Sequence, residues 1–310
     1  MKPTALVMIG CPASGKSTFA SDLVCSKGYV QIERDHVREE LAGTRKEFYT
    51  KFPRKVGEAA VSSIIRQNLM TAAKKKQNVV ISDTNINRSL RHRLYRDLFD
   101  LGFSVEVQLF DVDLQTLFDR NDERPVEEQV PEDIINRMFT DLQKQEQLLQ
   151  DEIAVLNFRY QRPNLVTAQT VVYDIDGTLA DHGDRSPYEW NRVGEDTPRE
   201  SVIRLLDHDV EDLAPDSFLT VFSGRDSVCR DLTVDWLKKH AGFYEDVDFL
   251  YMREEGNTDP DWIVKGKMLI QFTISNPAIH VLRVVDDRQQ VVDVWSNMGL
   301  DVWQVQQNKF

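Results

Sequence analysis

The sequence predicts an α/β protein of two domains, each a mainly parallel sheet flanked by helices. Its 310 residues exceed the roughly 250–300 at which a single hydrophobic core stops growing. Strand-like apolar runs alternate with helix-like segments along the chain, as in βαβ units. The alternation stops at the polar, proline-containing stretch 157–164 and then restarts. We therefore expect one domain at 1–156, a linker at 157–168 and a second domain at 169–310.

The first domain opens with short apolar runs that are typical of strands buried on both faces. The predicted strands are Leu6–Ile9, Val79–Ser82 and Val105–Phe110. Helical segments lie between and after them, and Gly102 is placed to end one of them. The predicted helices are Thr18–Val24, Glu58–Lys75, Ser89–Leu101 and one helix from Pro131 to about Leu156.

The second domain repeats the alternation of strands and helices. The predicted strands are Thr170–Tyr173, Phe218–Phe222, Asp248–Tyr251, Val281–Val285 and Val302–Gln306. Ligands of parallel α/β sheets bind at the carboxyl ends of the strands. Polar motifs that directly follow these runs are therefore the first candidates for a functional site.

Charge and composition limit the function. The net charge of -13 argues against a protein that coats nucleic acid, which would be basic. Two local runs, 34–55 and 88–96, are nevertheless rich in Lys and Arg. Each is interpreted either as a solvated helix face or as part of a path for a single-stranded backbone.

Cysteines and apolar runs indicate the compartment. Cys11, Cys25 and Cys229 are few and lack CxxC spacing, which favours a reducing compartment and no zinc site. The longest apolar run, Ala5–Ile9, is too short to span a membrane. We expect a cytoplasmic protein without a membrane partner.

A phosphate-binding loop follows the first strand. Residues Gly10 to Ser17 fit GxxxxGK[ST] at every fixed position, with a strand before them and a helix after them, as the motif requires. The loop N–H groups and the helix N-terminus favour phosphate oxygens. Lys16 is placed for the β- and γ-phosphates, and the Ser17 hydroxyl for Mg²⁺. The predicted ATP-binding residues here are Gly10, Ser14, Gly15, Lys16, Ser17 and Thr18.

Further residues of this domain are candidates for the acceptor side. Asp35 follows a short strand-like segment and is either the base that takes the acceptor proton or a helix N-cap. Arg38 lies one turn later and could hold an anionic acceptor. Asp83 could serve Mg²⁺ or the acceptor, or cap the next helix. Arg120 and Arg124 belong to a predicted lid over the triphosphate, or to an ordinary surface loop.

A pair of aspartates suggests a second, different site. Asp174 and Asp176 follow a strand-like run, and residues two apart on an extended chain point to the same side. Asp174 could attack phosphorus, and Asp176 could protonate the leaving oxygen and later activate water. Two carboxylates beside a phosphate require a cation, for which Mg²⁺ is the expected ion.

Downstream residues support this second site. Ser223, Gly224 and Arg225 end one strand and offer a hydroxyl and N–H groups to a phosphate. Lys265 could neutralise the reacting oxygens. Asp286 and Asp287 end another strand and complete the predicted metal ligands. The predicted metal-binding set is Ser17 in the first site and Asp174, Asp176, Asp286 and Asp287 in the second.

These motifs together resemble the bacteriophage polynucleotide kinase-phosphatases over nearly the full chain. The second half is similar to the haloacid-dehalogenase phosphohydrolases, and the first half to an adenylate-kinase-type P-loop fold. The shared motifs in the kinase half are Gly10 to Ser17, Arg34 to Arg38, Ile81 to Asn85 and Arg120-Asn121. In the phosphatase half they are Asp174 to Ala180, Arg185 to Tyr188, Ser223 to Arg225, Arg253-Glu254, Asp261 to Lys265, Asp286 to Arg288 and Val302 to Val305.

The resemblance implies a role for each motif. Asp35 would be the base for a 5′-hydroxyl, Arg38 would hold the neighbouring phosphate, and Arg124 would contact ATP. Asp174 would be the nucleophile and Asp176 the acid and base. Arg185, Arg225 and Arg253 would lie around the 3′-phosphate, and Asp261 would support Lys265. It also implies repair of RNA ends for a ligase, and a homotetramer.

Two other functions remain open on the sequence. One is a small-molecule kinase for a sugar or nucleoside, fused to a metabolite phosphatase, which the acidic balance slightly favours. The other is a nucleotide-binding regulatory or scaffold protein with decayed sites. The intact residues Lys16, Ser17, Asp174 and Asp176 argue against the second alternative.

Overall fold

Two separate parallel sheets organise the chain. A computed structural model describes residues 2–212 and 217–305. The chain divides into two compact units, Met1–Ile153 and Ala154–Phe310. Each unit has a mainly parallel sheet flanked by helices, so the predicted fold class is confirmed. None of the helices in the described part of the chain is long and apolar enough to cross a membrane.

The first unit is built on a four-stranded parallel sheet in the order β2-β3-β1-β4. Its strands are β1 (Thr4–Ile9), β2 (Val30–Ile32), β3 (Val79–Ile81) and β4 (Ser104–Leu109). Its helices are α1 (Lys16–Lys27), α2 (Arg34–Ala42), α3 (Arg45–Lys51), α4 (Arg54–Lys74), α5 (Arg88–Asp100), α6 (Leu114–Asp122), α7 (Glu132–Gln143) and α8 (Glu146–Asn157), the last of which ends in the second unit. β3 is buried throughout, as a central parallel strand covered on both faces should be.

The predicted single helix from Pro131 to Leu156 was wrong, because the structure has two helices, α7 and α8. The break lies at Gln145, whose side-chain amide donates to the carbonyl of Asp141 at 2.8 Å. That carbonyl is the acceptor which the Gln145 N–H would use in a continuous α-helix. The N–H donates instead to Leu142 at 3.1 Å. A side chain that competes with the backbone ladder thus ends α7.

The second unit is built on a five-stranded parallel sheet in the order β11-β10-β5-β8-β9. Its strands are β5 (Ala168–Tyr173), β8 (Phe218–Asp226), β9 (Phe249–Arg253), β10 (Ile279–Asp286) and β11 (Val302–Gln304), and a small antiparallel ribbon pairs β6 (Ala180–Asp181) with β7 (Thr197–Pro198). Its helices are α9 (Glu200–Glu211), α10 (Arg230–His240), α11 (Asp261–Ser275) and α12 (Gln289–Asn297). Gln306, the predicted end of the last strand, lies outside the described residues.

Both sheets present their polar motifs at the carboxyl ends of the strands. In the first unit, the loop after β1 and the segments after β2 and β3 carry the predicted residues. In the second unit, the segments after β5 and β10 and the end of β8 carry them. The apolar strands lie in the hydrophobic cores. Close packing of these strands fixes the backbone that holds the polar side chains.

Candidate active sites

The loop between β1 and α1 has the geometry of a phosphate cradle. Ala13 and Gly15 adopt left-handed backbone angles, with φ of 64° and 97°, which turn successive N–H groups inward. A Cβ on Gly10 would lie 2.8 Å from Ser14 Oγ and 2.9 Å from the carbonyl of Phe110, so the loop packs too closely for a side chain there. Ser17 and Thr18 are exposed on the first turn of α1.

Lys16 lies inside this loop. Its ammonium donates to the carbonyls of Gly10 at 2.9 Å and Cys11 at 2.7 Å, and to Ser14 Oγ at 3.2 Å. Only 6% of the residue is exposed. Burial, with a contribution from the positive charge of Arg124, lowers the pKa of Lys16 to about 8. A charged phosphate would offset this burial cost.

Carboxylates gather at the ends of β2 and β3. The Asp83 carboxylate accepts the backbone N–H of Arg34 at 3.0 Å and thereby caps the start of α2. Burial, with the nearby charges of Glu33 and Asp35, raises the pKa of Asp83 to about 6. Burial also raises the pKa of Glu33, a residue that the sequence reading overlooked. Such a group of acids favours a nearby cation.

Arg38 is held in a cluster of charged side chains. Its guanidinium donates to both oxygens of Glu58 at 3.0 Å, and it also binds Asp35. Arg34 and the Tyr49 hydroxyl donate to Glu58 at 2.9 and 2.8 Å. These hydrogen bonds outweigh partial burial and lower the pKa of Glu58 to about 2. The structure therefore brings Asp35 and Arg38 together and adds Glu58 as the group that orients Arg38.

In the predicted lid, the uncharged side chain of Asn121 holds together the two ends of the segment between α6 and α7. Asn121 is buried, and its amide exchanges two hydrogen bonds with the backbone of Val130, at 3.0 and 2.9 Å. This clasp joins the two ends of the segment between α6 and α7. Arg124 lies within the segment and is half-buried. Its positive charge contributes to the lowered pKa of Lys16. Arg120 is exposed on α6.

The basic run 88–96 does not present all of its arginines to solvent. Arg91 is buried, and its guanidinium forms a two-pronged pair with Glu152 at 2.9 and 3.0 Å. It also donates to the carbonyls of Asn85 and Ile86. A guanidinium satisfied in this way holds the segment after β3 in place. Arg91 therefore acts within the fold and is not available to bind a nucleic-acid backbone.

The second site centres on Asp174, which directly follows β5. Its carboxylate accepts Lys265 Nζ at 2.8 Å and the Thr178 hydroxyl at 3.2 Å. Lys265 also contacts Asp286 at 2.8 Å and lies 3.8 Å from Asp261. Burial raises the pKa of Asp174, although Lys265 opposes the change. Lys265 is itself buried, but the surrounding carboxylates raise its pKa.

Three carboxylates form a candidate metal-binding cluster. Asp174, Asp286 and Asp287 are buried and offer oxygens that lie within 4.8 Å of one another. Both carboxylate oxygens of Asp287 are buried without a hydrogen-bond partner among the described residues. A Cβ on Gly177 would lie 2.3 Å from Asp287 Oδ2. The glycine is thus required for the close approach of these groups.

Asp176 was predicted as a metal ligand, but its carboxylate faces arginines instead. Arg225 donates to both of its oxygens at 2.9 Å, and Arg185 donates to one at 3.2 Å. Burial would raise the pKa of Asp176, but the two arginines lower it below its usual value. Its carboxylate oxygens are thus occupied by two guanidiniums, and Asp176 is not one of the three acids in the cluster of Asp174, Asp286 and Asp287.

Asp196 completes this network, and the sequence reading missed it. Its carboxylate accepts Arg185 at 2.8 Å twice and Arg225 at 2.6 Å. The Trp236 indole donates to its backbone carbonyl at 2.7 Å. No motif surrounds Asp196 in the sequence. Its only signal is a position just before β7, and the pairing partners come from distant parts of the chain.

The remaining predicted residues of this site are held by hydrogen bonds to one another and to their neighbours. Arg253 donates to the carbonyl of Gly224 at 2.9 Å and to Asp261 at 3.1 Å. Asp261 also accepts Arg288 at 3.1 Å. Burial would raise the pKa of Asp261, but Lys265, together with Arg288 and Arg253, lowers it below its usual value. A Cβ on Gly224 would lie 2.4 Å from Asp261. Ser223 is fully buried, and its hydroxyl accepts the Arg225 N–H at 3.2 Å.

Comparison with known proteins agrees with this geometry. Residues 168–310 match the family model described as polynucleotide kinase PNKP phosphatase domain. The second unit is thus similar to this phosphatase family over nearly all of its length. Residues 6–149 match a family model described as an AAA domain, which covers the loop of Lys16. The resemblance inferred from the motifs is thereby confirmed.

A relative and two solved structures align with nearly the whole of this chain. A protein of Autographa californica nuclear polyhedrosis virus, named as a bifunctional polynucleotide kinase/RNA ligase, is 30% identical over 308 residues. That match covers 95% of this chain and 41% of the relative, so the chain spans about two fifths of the relative's length. Two structures of a Pnkp1/Rnl/Hen1 complex, one described as an RNA repair complex, align with 100% of this chain and with 97% and 98% of theirs. They are 23% and 22% identical, with TM-scores of 0.45.

Proposed function

We propose that the chain heals broken nucleic-acid ends with two separate active sites. The first unit phosphorylates 5′-hydroxyl ends with ATP. The second removes a 3′-phosphate, or opens and removes a 2′,3′-cyclic phosphate, and both need Mg²⁺. One observation carries the proposal: a phosphate cradle and a buried carboxylate–lysine centre occur in one chain. The residues that form the carboxylate–lysine centre lie within the match to the PNKP phosphatase model. The assigned boundaries are 1–156 for the kinase, 157–168 for the linker and 169–310 for the phosphatase.

In the kinase site, the loop amides and Lys16 would hold the phosphates of ATP, and Arg124 would cover them. The Ser17 hydroxyl would face the metal ion. Asp35 would take the proton of the 5′-hydroxyl as that oxygen bonds to the γ-phosphorus and the bond to the bridging oxygen breaks. Arg38, oriented by Glu58, would hold the phosphate next to the reacting end. Asp83 would serve the metal or the acceptor.

The residues of the phosphatase site fit a magnesium ion. Three carboxylates lie within 4.8 Å of one another, and both Asp287 oxygens are buried without a partner among the described residues. Oxygen ligands of this kind are those that Mg²⁺ prefers. Asp174, Asp286 and Asp287 would hold it. When bound, the ion would offset the repulsion between these carboxylates and the entering phosphate.

In the phosphatase reaction, Asp174 would attack phosphorus while Lys265 and Thr178 fix its carboxylate. The bond from phosphorus to the 3′-oxygen breaks, and Asp176 would give that oxygen a proton. Asp176 would then take a proton from the water that hydrolyses the acyl-phosphate on Asp174. The lowered pKa of Asp176 keeps its carboxyl ionised, which is the form that this second step needs. For the first step, Arg185 or Arg225 must exchange a hydrogen bond to Asp176 for one to the substrate phosphate.

The resemblance supports further proposals about partners. The substrates would be single-stranded or nicked RNA or DNA ends, and a nucleic-acid ligase would join the healed ends. The chain would act as a homotetramer in the cytoplasm, which is the host cytoplasm if the protein is viral.

The test uses an oligonucleotide with a 5′-hydroxyl and a 3′-phosphate, incubated with ATP and Mg²⁺. We expect both ends to be converted, and chelation of the metal to stop both reactions. A free nucleoside or a sugar, offered at the same concentration, should be phosphorylated far more slowly. Preference for the small molecule would favour a metabolic kinase, and lack of turnover on every substrate would favour a binding protein.

A further inference from the structure

An exposed aromatic pair lies in the loop between β6 and β7. Tyr188 is 80% exposed, and its ring meets Trp190 edge to face, with centroids 6.1 Å apart and planes at 85°. Trp190 is partly buried at the start of a short 3-10 helix, Trp190–Glu195. A ring with this exposure adds little to the hydrophobic core.

The turn that carries Tyr188 is well fixed despite its exposure. Pro187 restricts the backbone immediately before the ring. The Glu189 carboxylate accepts the Ser186 N–H at 2.7 Å, and the Glu189 N–H returns a bond to the Ser186 carbonyl at 3.0 Å. A flat side chain on a fixed turn loses little conformational freedom when it binds a ligand.

This turn is tied directly to the phosphatase centre. The guanidinium of Arg185 donates to the carbonyl of Ser186 at 3.1 Å and to Asp176 at 3.2 Å. One buried side chain therefore joins the turn and the acid–base residue. Tyr188 lies three positions after Arg185, and three residues of extended chain span at most about 11 Å. The backbone that carries the ring therefore lies close to Arg185, which contacts the group that would protonate the leaving oxygen.

The leaving oxygen of a 3′-phosphate belongs to a nucleoside whose base is the nearest flat, apolar group. Aromatic side chains bind single-stranded bases by stacking, and this does not depend strongly on sequence because every base has a π-face. We propose that Tyr188, supported by Trp190, stacks on the terminal nucleobase of the strand whose 3′-phosphate enters the Asp174 site. The inference rests on the proposed phosphatase function and names the group that selects polynucleotide ends over other phosphomonoesters.

The test measures phosphatase kcat/KM on two oligonucleotides that end in a 3′-phosphate, one with its terminal base and one with an abasic terminal sugar. The Tyr188→Ala variant should act on the intact end roughly ten-fold less well than the wild type, since stacking on one base has about that value. On the abasic end the two proteins should act equally well. Tyr188→Phe, which keeps the ring, should match the wild type on both.

A matched control is Tyr244→Ala. Tyr244 is 70% exposed, but its N–H binds Asp248 just before β9, at the opposite end of the sheet from Asp174. Tyr244→Ala should leave the rates on both oligonucleotides unchanged. Equal rates for Tyr188→Ala and wild type on the intact end would overturn the inference, and so would an equal loss on both ends. If the wild type removed phosphate from neither oligonucleotide, the proposed function itself would fail.

Discussion

Lys16 and Lys265 are both buried ammonium groups at the carboxyl ends of parallel sheets, but their surroundings differ. Lys16 donates to neutral oxygens of its own loop, and burial lowers its pKa to about 8. Lys265 lies among Asp174, Asp286 and Asp261, which raise its pKa despite burial. The first centre is thus built from local backbone, and the second from side chains that are far apart in the sequence.

On the proposed function, this difference predicts how each centre would bind a phosphate. The P-loop offers N–H dipoles and one cation whose charge is uncompensated, so it attracts an anion directly. In the phosphatase centre, Lys265, Arg185 and Arg225 are each already paired with a carboxylate before a substrate enters. Its arginines already bind Asp176 and Asp196, and these bonds must be partly exchanged for the phosphate. Loss of a partner that is distant in the sequence should therefore destabilise the phosphatase centre more than the P-loop centre.

Substitution of the reacting groups should have the largest effect. Lys16→Ala should lower kinase activity by at least about 10²-fold, because it removes a charge that the transferring phosphate needs. Asp174→Asn should lower phosphatase activity by at least about 10³-fold, because it removes the nucleophile. Each variant should keep the other activity. The measurement is the rate of 5′-labelling and of 3′-phosphate release, and loss of both from one substitution would contradict separate sites.

A glycine pair tests how closely the phosphatase centre is packed. Gly177 and Gly183 both have positive φ, of 86° and 58°, so alanine strains the backbone at each. At Gly177 the new Cβ would lie 2.3 Å from Asp287, whereas at Gly183 nothing lies within 4 Å. Gly177→Ala should lower phosphatase activity roughly 10²-fold, because displacement of Asp287 misplaces the reacting groups. Gly183→Ala should leave the rate near that of the wild type, and equal losses would contradict this account.

The distant partners should contribute unequally to stability. Asp196→Ala leaves Arg185 and Arg225 buried with a lost partner, which should lower the free energy of unfolding of the second unit by about 3–5 kcal/mol. Glu58→Ala should cost the first unit less, about 1 kcal/mol, because its pairs are partly screened by solvent. Denaturant unfolding measures both. Asp184→Ala, whose side chain is 92% exposed, is the control and should change little; a cost for Asp196→Ala no larger than that of this control would be inconsistent with the network.

The smallest expected effect is a difference in pH dependence. As pH rises through about 8, the pKa of Lys16, the free protein loses the charge that binds ATP. Kinase kcat/KM for ATP should then fall, by about tenfold one pH unit higher. Phosphatase activity should lack this limb, because the pKa of Lys265 is raised. Lys16→Arg, which stays charged, should remove the limb from whatever kinase activity it keeps. Identical alkaline limbs in both reactions would refute the assignment.

The sequence predicted the local parts of the molecule well. The fold class, the P-loop and the segment Asp174 to Gly177 follow from short stretches in which neighbouring residues determine the backbone. The partners of these residues could not be predicted in the same way. Glu58, Asn121 and Asp196 meet their partners through tertiary packing. Asn121 belongs to the Arg120-Asn121 motif, but that motif does not show its pairing with Val130, and Glu58 and Asp196 belong to none of the motifs. Arg91 looked like a surface cation because sequence alone does not show that Glu152 lies beside it.

The most direct test of two separate sites is a mixing experiment. Lys16→Ala and Asp174→Asn are each incubated, singly and together, with an oligonucleotide that carries a 5′-hydroxyl and a 3′-phosphate, in the presence of ATP and Mg²⁺. We predict that each variant converts one end alone and that the mixture converts both at rates near those of the wild type. A mixture that leaves either end unconverted would contradict the claim that the two units act independently.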